Sequence, residues 1–433
     1  MAVRIPRRFV FLLLFLAGLV GLGVWRHFEQ GLEQGQRLIQ KRDWDAAEVQ
    51  LNNYLMLHPH DPEALLAKAE LLIRRPRGDA KSAAETAVQL LDQIPDGLPL
   101  SAVARTQSAR IRLLILRQVW HAETDLMSAI RQDPESLDAN YMMWKVLDLT
   151  RRYHLVEPFF QVVYRHASPD QKLTYLTEWY LSQFSTFAAS VQLDQMMGVT
   201  KPGAASDALS EYKRLIGFSQ LDPNCPMLSS ALAGWCKEYH FTEEKWKWFD
   251  KTWENADPTT PSSAYATLFD IVIEDGRFDE AKEIYQSWPE PRSGYDFWKR
   301  EGIYFSEVVT DLPRAVQACR NAIGEWPGPV DWQLRHRMAG LLVRMGKLQE
   351  AEDVRAAAHR FEKLMEVKLH SDLRSALAGE RGADGLESLA QFYRDIERPM
   401  EADGWQELAD RRHEEVPKLI SPGLGEFLPS PAP

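Results

Sequence analysis

The sequence has few cysteines and lacks the short motifs that mark common catalytic and cofactor sites. Its three cysteines form no CxxC pair, which excludes zinc-ribbon, thioredoxin-like and haem-attachment sites. HExxH and GxSxG do not occur either. The stretch GLLVRMGK at 340–347 resembles a phosphate loop only superficially, because five residues separate its glycines and Leu348 stands where such a loop has Ser or Thr. We therefore predict no catalytic residue, no cofactor and no enzymatic activity.

Basic runs are missing outside the amino terminus, and the formal net charge of the chain is −11. Nucleic-acid-binding domains carry clustered lysine and arginine, so we expect no nucleic acid partner. Histidines are dispersed: His58 and His60 lie beside Asp61 in a predicted turn, and the others, among them His336 and His359, are scattered. Because a metal ion needs three or four converging ligands, we predict no metal site.

Two of the cysteines, Cys225 and Cys236, are eleven residues apart. In an oxidising compartment this pair could form a disulfide. The favoured interpretation is that both are small buried apolar residues. Cys319 falls at a position expected to pack one helix against another.

One stretch carries the pattern against which the rest of the chain is interpreted. In EDGRFDEAKEIYQSW, residues 274–288, Gly276 lies in a predicted turn and Phe278 opens a helix. Ala281 and Tyr285 are four residues apart and share one face of that helix. The stretch thus predicts the second half of a helix–turn–helix unit. Variants of its spacing recur in four other stretches, near residues 43, 312, 346 and 386.

The prolines show the same period independently. Pro59, Pro95, Pro134 and Pro169 are 36, 39 and 35 residues apart. Proline lacks the amide hydrogen and disfavours helix in the residue before it. A proline at this steady interval therefore predicts helices cut to similar lengths, as a stacked array requires.

The pattern resembles the tetratricopeptide repeat (TPR), whose period is about 34 residues. In that family a small residue lets helix A and helix B of each unit approach closely, and Gly35 and Ala47 match such positions in the first copy. The resemblance covers roughly residues 30–416. It implies an all-α fold, an α-solenoid in which TPR-like units stack into a right-handed superhelix. It also implies a concave groove, lined by the helix A faces, that takes a protein or peptide partner.

The amino terminus differs from the rest of the chain. Arg4, Arg7 and Arg8 precede residues 9–25, which contain no charged residue, and Arg26 follows. The apolar run is close to the length of a membrane-spanning helix and longer than the apolar part of most signal peptides. We predict an uncleaved single-pass anchor. A cleaved signal peptide and a buried helix of a soluble protein are the alternatives. Because more arginines precede the run than follow it, the amino terminus should stay in the cytoplasm, with the repeats on the outer side of a bacterial inner membrane.

These features predict an order of segments along the chain. They are a basic tip and transmembrane anchor at 1–28, a first TPR-like array at 29–170, a degenerate repeat or seam at 171–205, a second array at 206–367, a carboxyl-terminal helical pair at 368–416 and a disordered tail at 417–433.

The densest aromatic cluster is FTEEKWKWFDKTW at 241–253. Trp246, Phe249 and Trp253 have the spacing of one helix stripe, which predicts packing against the preceding helix. Trp248 lies off that stripe. It is therefore the candidate residue for contact with a partner.

Together these features predict a membrane-tethered scaffold or adaptor that mediates protein–protein interactions in the cell envelope through the helix A groove. Two alternatives stay open: an all-helical toroid that acts on polysaccharide with acidic catalysts and tryptophan platforms, and a regulatory adaptor of an envelope protease or synthase. An open superhelix would favour the scaffold. Helices closed around a carboxylate-lined pocket would favour the enzyme.

Overall fold

The computed structural model describes residues 30–75, 78–184, 208–377 and 382–411. All regular secondary structure in these ranges is helical, which confirms the all-α prediction. No helix within them combines the length and the apolar character that crossing a membrane requires. The predicted anchor at 9–25 and the predicted tail at 417–433 lie outside the described residues.

The chain divides into two compact units, Met1–Ala139 and Asn140–Pro433. The described helices of the first unit are α1 (Gly31–Gln40), α2 (Trp44–Leu57), α3 (Pro62–Arg74), α4 (Ala80–Asp92), α5 (Ser101–Ile111) and α6 (Val119–Gln132). They pack in sequence as three antiparallel hairpins, α1 with α2, α3 with α4, and α5 with α6. Each hairpin also contacts the next one. The first unit is therefore the stack of TPR-like hairpins that the period predicts.

Aspartates begin three of these helices. The side chains of Asp43, Asp61 and Asp79 each accept a hydrogen bond from the backbone N–H three residues later, at 3.3, 2.9 and 3.1 Å. Such a cap satisfies an amide that the helix itself leaves without a partner, and its loss costs about 1 kcal/mol. Pro62 occupies the first turn of α3, where its missing N–H does no harm.

Small residues allow the two helices of the first hairpin to approach closely. A Cβ added to Gly35 on α1 would lie 2.8 Å from the side chain of Leu51 on α2, closer than carbon atoms pack. Ala47 and Leu51 are fully buried in the same contact. The predicted roles of Gly35 and Ala47 are thus confirmed, since a larger residue at either position would push the helices apart.

The second unit contains most of the remaining helices. In chain order the helices from residue 137 onward are α7 (Leu137–Leu149), α8 (Glu157–His166), α9 (Pro169–Phe184), α10 (Ala208–Leu221), α11 (Pro226–Glu238), α12 (Thr242–Asn255), α13 (Ser262–Glu274), α14 (Phe278–Gln286), α15 (Gly294–Ile303), α16 (Leu312–Ile323), α17 (Trp332–Arg344), α18 (Leu348–Leu364), α19 (Val367–Leu377), α20 (Gly382–Asp395) and α21 (Pro399–Asp410).

Hairpins recur in this unit as α11–α12, α13–α14, α15–α16, α17–α18 and α20–α21. Gly276 turns the chain between α13 and α14 with a φ of +72°, a value that glycine adopts without strain. On α14, Ala281 is fully buried, and the ring of Tyr285 stacks on Tyr304 with 4.0 Å between centroids. The pattern at 274–288 therefore predicted its hairpin correctly.

Helix geometry decides the question of the cysteine pair. Cys225 and Cys236 lie at opposite ends of α11, and both are buried. Eleven residues of α-helix span about 16 Å, whereas a disulfide requires its two Cα atoms within about 7 Å. A bridge between these two residues is therefore excluded, and the interpretation as buried apolar residues is confirmed.

The second unit closes on itself instead of continuing as an open stack. Near its amino-terminal end, Lys172 on α9 lies 3.4 Å from Glu407 on α21, and Glu157 on α8 pairs with Arg398 at the start of α21. The backbone of Gly404 packs where an added Cβ would lie 2.9 Å from Leu176 and would collide with the Tyr164 hydroxyl. Helices from the two ends of the unit are thus in direct contact.

The two compact units divide at residue 139. Most of the predicted seam at 171–205 lies outside the described residues, so the seam stays a prediction. The closure explains one departure from the repeat pattern. Glu157 stands where the repeat pattern expects alanine, because its carboxylate pairs with Arg398. The second array at 206–367 and the carboxyl-terminal helical pair at 368–416 stay predictions as segment bounds.

Replacing Gly404 by alanine tests the closure. We expect the free energy of unfolding to fall by about 1–3 kcal/mol, because the added methyl group forces Tyr164 and Leu176 apart. Urea denaturation followed by circular dichroism measures the change. Gly340→Ala on α17 is the matched control: its new methyl group meets no atom within 4 Å, so removing a flexible glycine from a helix should stabilise the chain by about 0.5–1 kcal/mol. Equal effects of the two substitutions would contradict the closure.

Candidate functional site

A groove lies across the helix A faces of the first unit. It has a volume of about 510 Å³ and runs over α1 and α3 toward the start of α5. We call it the first-unit groove. The residues that matter most for its chemistry are Gln36, Gln40, Glu63, Leu66, Glu70 and Leu100.

The sequence of α3 explains how this surface arises. Leu65 and Ala69 are buried in the core formed with α4 and α5. Glu63, Leu66 and Glu70 follow one another at intervals of three and four residues, so they share a different face of the same helix. On that face Leu66 packs against the edge of the core, and Glu63 and Glu70 are exposed, which leaves two carboxylates at the surface of the groove.

The floor of the groove is apolar and its walls are polar. Ile39 and Ala67 are buried, and Leu66 is half-buried. Within the described residues, the side-chain amides of Gln36 and Gln40 make no hydrogen bond to another protein group. Each amide offers two N–H donors and one carbonyl acceptor. One turn apart on α1, they can therefore pair with the backbone of an extended chain lying over the floor.

The two carboxylates differ in their surroundings. Glu70 Oε1 lies 2.7 Å from the guanidinium of Arg74, and both side chains are about half exposed. Glu63 is exposed, and none of the cations in the part of the chain that the structure describes pairs with it. The groove therefore presents one negative charge that is not neutralised, which favours a ligand with a positive group at that point.

In the second unit, unlike the first, another segment of the same chain covers part of the helix A faces. We call residues 151–184 the return segment. Its Arg151 pairs with Glu238 on α11, and the imidazole Nε2 of its His154 lies 2.7 Å from Asp296 Oδ2 on α15. A protein segment thus already occupies the kind of surface that the TPR resemblance assigns to a partner.

Charges hold the return segment to α15. Asp296 is buried, and it also accepts a hydrogen bond at 3.0 Å from Arg300, whose guanidinium pairs with Asp270 on α13. Burial opposes ionisation of the Asp296 carboxyl, but His154 and Arg300 outweigh it and lower its pKa to about 2. Asp296 is therefore an anion across the physiological pH range and retains its attraction for these partners.

Two further groups of contacts fix α9. On one side, Glu178 lies 2.9 Å from the ammonium of Lys145 on α7, and both side chains are buried. Burial disfavours the charged form of Lys145, but the attraction of Glu178 outweighs it and raises the pKa of the lysine. On the other side, the indole N–H of Trp326 donates a hydrogen bond to the side-chain oxygen Oε1 of Gln183 at 2.9 Å. The return segment is thus built into the second unit by polar contacts as well as by packing.

The aromatic end of α9 meets the carboxyl-terminal helices. The Tyr180 hydroxyl lies 2.9 Å from His370 Nδ1 on α19, and the ring of Phe184 stacks on the same imidazole with 5.3 Å between centroids. Phe392 on α20 packs edge-on against Phe184. These contacts were not predicted, because nothing in the repeat spacing relates residues 180 and 370.

The candidate contact residue Trp248 is not at the surface. Its side chain is only 7% exposed. The buried stripe of α12 consists of Lys245, Trp248, Phe249 and Thr252, so the premise that Trp248 lies off the packed stripe is wrong. Trp246, predicted to be packed, is half-buried under the guanidinium of Arg277, 4.0 Å from the ring centroid. Contact of Trp248 with a partner stays a prediction, but its premise, an exposed position on α12, is lost.

Closure of the second unit is the arrangement that the enzyme alternative requires, but its buried carboxylates are engaged. Asp148, Glu178, Glu211 and Asp296 each pair with a lysine, an arginine or a histidine. Such pairs account for the burial of these carboxylates without a reaction. The absence of enzymatic activity stays a prediction.

No known protein family and no curated protein matches this sequence. Solved structures with a similar fold include the APC/C hetero-tetramer Cut9–Hcn1, with a TM-score of 0.38 and 11% identity over 90% of this chain and 74% of that chain. The P58(IPK) TPR domain gives 0.25 and 15% over 90% and 99%. The human IFIT1 dimer with PPP-AAAA gives 0.32 and 13% over 88% and 89%. Similarity this distant carries no conclusion about function, and the TPR-like fold is established by the hairpins described above.

The buried histidine on α19 makes stability depend on pH. Burial lowers the pKa of His370 to about 4, below the value of 6.5 for an exposed histidine. Between these two pH values the unfolded chain binds a proton that the folded chain does not. The contribution of His370 to stability is therefore complete above about pH 6.5 and is lost as the pH falls toward 4.

We expect this loss to reach about 2–3 kcal/mol at pH 4.5. His370→Asn removes the titrating group, and its amide oxygen can still accept the hydrogen bond of Tyr180. Urea denaturation at pH 7.5 and 4.5 measures the unfolding free energy of wild type and variant. Relative to wild type, the variant should be more stable at pH 4.5 than at pH 7.5. His121→Asn, on an exposed helix position, is the control and should give no such shift. A pH-independent difference for His370→Asn would contradict the assignment.

Proposed function

We propose that the protein is a non-enzymatic scaffold that binds an extended, basic peptide segment of another protein in the first-unit groove. The observation that carries this proposal is the combination of three features on one surface: an apolar floor, two amides that bond to no protein group among the described residues, and the carboxylate of Glu63. The described lining residues are glutamines, glutamates, an arginine and apolar residues, a set suited to holding a peptide.

The mode of binding follows from the groups in the groove. Gln36 and Gln40 would hydrogen-bond the backbone of the extended segment, Leu66 and Leu100 would contact its apolar side chains, and Glu63 would attract a lysine or arginine. Backbone hydrogen bonds give affinity without strong dependence on sequence, and a charge contact adds selectivity. This division of roles is typical of an adaptor that recognises a short peptide motif. It differs from the large buried interface of two folded domains.

The proposal includes the membrane anchor at residues 9–25. Tethering to a bilayer raises the local concentration of the groove near membrane-bound partners and adds to the apparent affinity without a new contact. The support for this part is the apolar run with its flanking arginines. The proposed location is therefore a bacterial inner membrane, with the helical units outside the cytoplasm.

Selection from a random peptide library tests the groove. Peptides selected on the full chain in detergent should be enriched in lysine or arginine. Glu63→Arg should weaken their binding by about tenfold or more, because it replaces an attraction by a repulsion, and a tenfold change corresponds to about 1.4 kcal/mol. Fluorescence polarisation with a selected peptide measures the affinity.

Glu85→Arg is the matched control, since it makes the same charge change on the exposed face of α4, outside the groove. Gln40→Ala should also weaken binding, because it removes one of the amides that would contact the peptide backbone. If Glu63→Arg and Glu85→Arg alter the affinity equally, or if the selected peptides show no basic residues, peptide binding in the groove is wrong.

The anchor makes a separate prediction. When the full chain is expressed in a bacterial host, it should sediment with the membranes and resist extraction by alkaline carbonate, because its apolar run lies in the lipid. Deletion of residues 1–28 should move the protein to the soluble fraction without changing its affinity for the selected peptide. Recovery of the intact full-length chain in the soluble fraction would rule out tethering and leave the groove proposal unaffected.

A further inference from the structure

Two histidines that are distant in the sequence meet a glutamate on the hairpin of α17 and α18. His336 lies on α17, and His359 and Glu362 lie three residues apart on one face of α18. One ligand atom from each of the three side chains lies within 4.8 Å of the other two. This cluster is far in sequence from the first-unit groove and takes no part in the function proposed above.

The distances in the cluster are close to those of a bound metal ion. The Glu362 Oε2 atom lies 3.6 Å from His336 Nε2 and 3.0 Å from His359 Nδ1. Zinc binds nitrogen and carboxylate oxygen at about 2.0–2.2 Å in a tetrahedron, which places its ligand atoms about 3.3 Å apart. These two distances lie on either side of that value, and the two imidazole nitrogens lie within 4.8 Å of each other. Small rotations of the side chains are therefore enough to bring all three atoms around one ion.

Access and neighbouring charges also fit a metal site. The three side chains are 30%, 59% and 42% exposed, so an ion can enter from solvent. The cations nearby are engaged elsewhere: Arg335 donates to the Pro329 carbonyl at 2.8 Å, and Arg360 pairs with Glu397 at 2.8 Å. Across the described ranges, Glu362 contacts the two imidazoles and forms no ion pair with an arginine or lysine. Its carboxylate is thus available to a divalent cation.

Packing holds one ligand in place before any ion binds. The ring of His336 meets Trp332, one turn earlier on α17, edge-on with 5.8 Å between centroids. It also lies edge-on to His359, at 4.9 Å. His359 and Glu362 keep a fixed separation because they are on the same helix. A site whose ligands are partly oriented loses less conformational freedom on binding.

From this geometry we propose that His336, His359 and Glu362 bind a zinc ion that links α17 to α18. Two imidazoles and one carboxylate are a ligand set that zinc takes in proteins, with the fourth position left to water or to a ligand from outside the chain. The ion would cross-link the two helices of one hairpin. The prediction of no metal site from dispersed histidines would then be wrong, because the hairpin brings residues 336 and 359 together.

Zinc titration of the full chain without a histidine tag tests the proposal. We expect isothermal titration calorimetry to show about one equivalent bound, with a Kd on the order of micromolar, because three partly oriented ligands bind more weakly than a closed four-ligand site. His336→Ala, His359→Ala and Glu362→Gln should each weaken the binding by about tenfold or more. His121→Ala removes an exposed helical histidine in the first unit and should leave the affinity unchanged.

Cobalt provides a second readout that does not depend on heat. Bound Co²⁺ in a tetrahedral site should give a visible absorption band that is absent for the hydrated ion and is lost in His359→Ala. Circular dichroism spectra of all variants should overlay, since the three residues are at the surface. The proposal is overturned if wild type binds no zinc, or if Glu362→Gln and His336→Ala bind it as tightly as wild type.

Discussion

Close contact between antiparallel helices is the constraint on which the rest of this structure depends. It is possible only where one helix presents a residue with little or no side chain, as Gly35 does to Leu51 and Gly302 does to Cys319. At such a point the two backbones approach, and the flanking large residues fill the space on either side. Each hairpin buries only part of its apolar surface alone, so the next hairpin must cover the remainder. The repeat period is the sequence record of that requirement.

The same architecture is used in two ways. In the first unit the helix A faces remain polar at the surface and form a groove with an apolar floor. In the second unit, Arg151 and His154 of the return segment pair with helix A residues, and α9 joins helices from both ends of the unit. The return segment therefore takes, within one chain, a role resembling that of a bound partner. If the first-unit groove binds a peptide as proposed, binding and self-association use the same kind of surface in this chain.

The spacing of residues in the sequence predicted the hairpins, whose contacts are between residues close in the chain. It did not predict contacts between residues far apart in the chain. The intervals around Ala281 and Ala47 identified real hairpins, because the residues that pack there are close in the chain. Glu157 broke the pattern for a reason visible only in its pairing with Arg398. Trp248 was predicted to be exposed, but the face of α12 that is buried runs from Lys245 to Thr252 and includes it. Hydrophobic spacing could not identify this face, because one of its buried residues is a lysine, which pairs with Asp275.

The contact of Glu157 with Arg398 also bears on the order in which the polypeptide acquires its structure during synthesis. The two residues are 241 positions apart, and pairing over such separations is slow because a long loop must close first. The hairpins of the first unit depend on neighbours in the sequence and can form while translation continues. Helices α8 and α9 cannot reach their final surroundings until α21 has left the ribosome. The part of their surface that α21 later covers therefore stays exposed until then, and exposed apolar surface of this kind favours misassociation of a nascent chain.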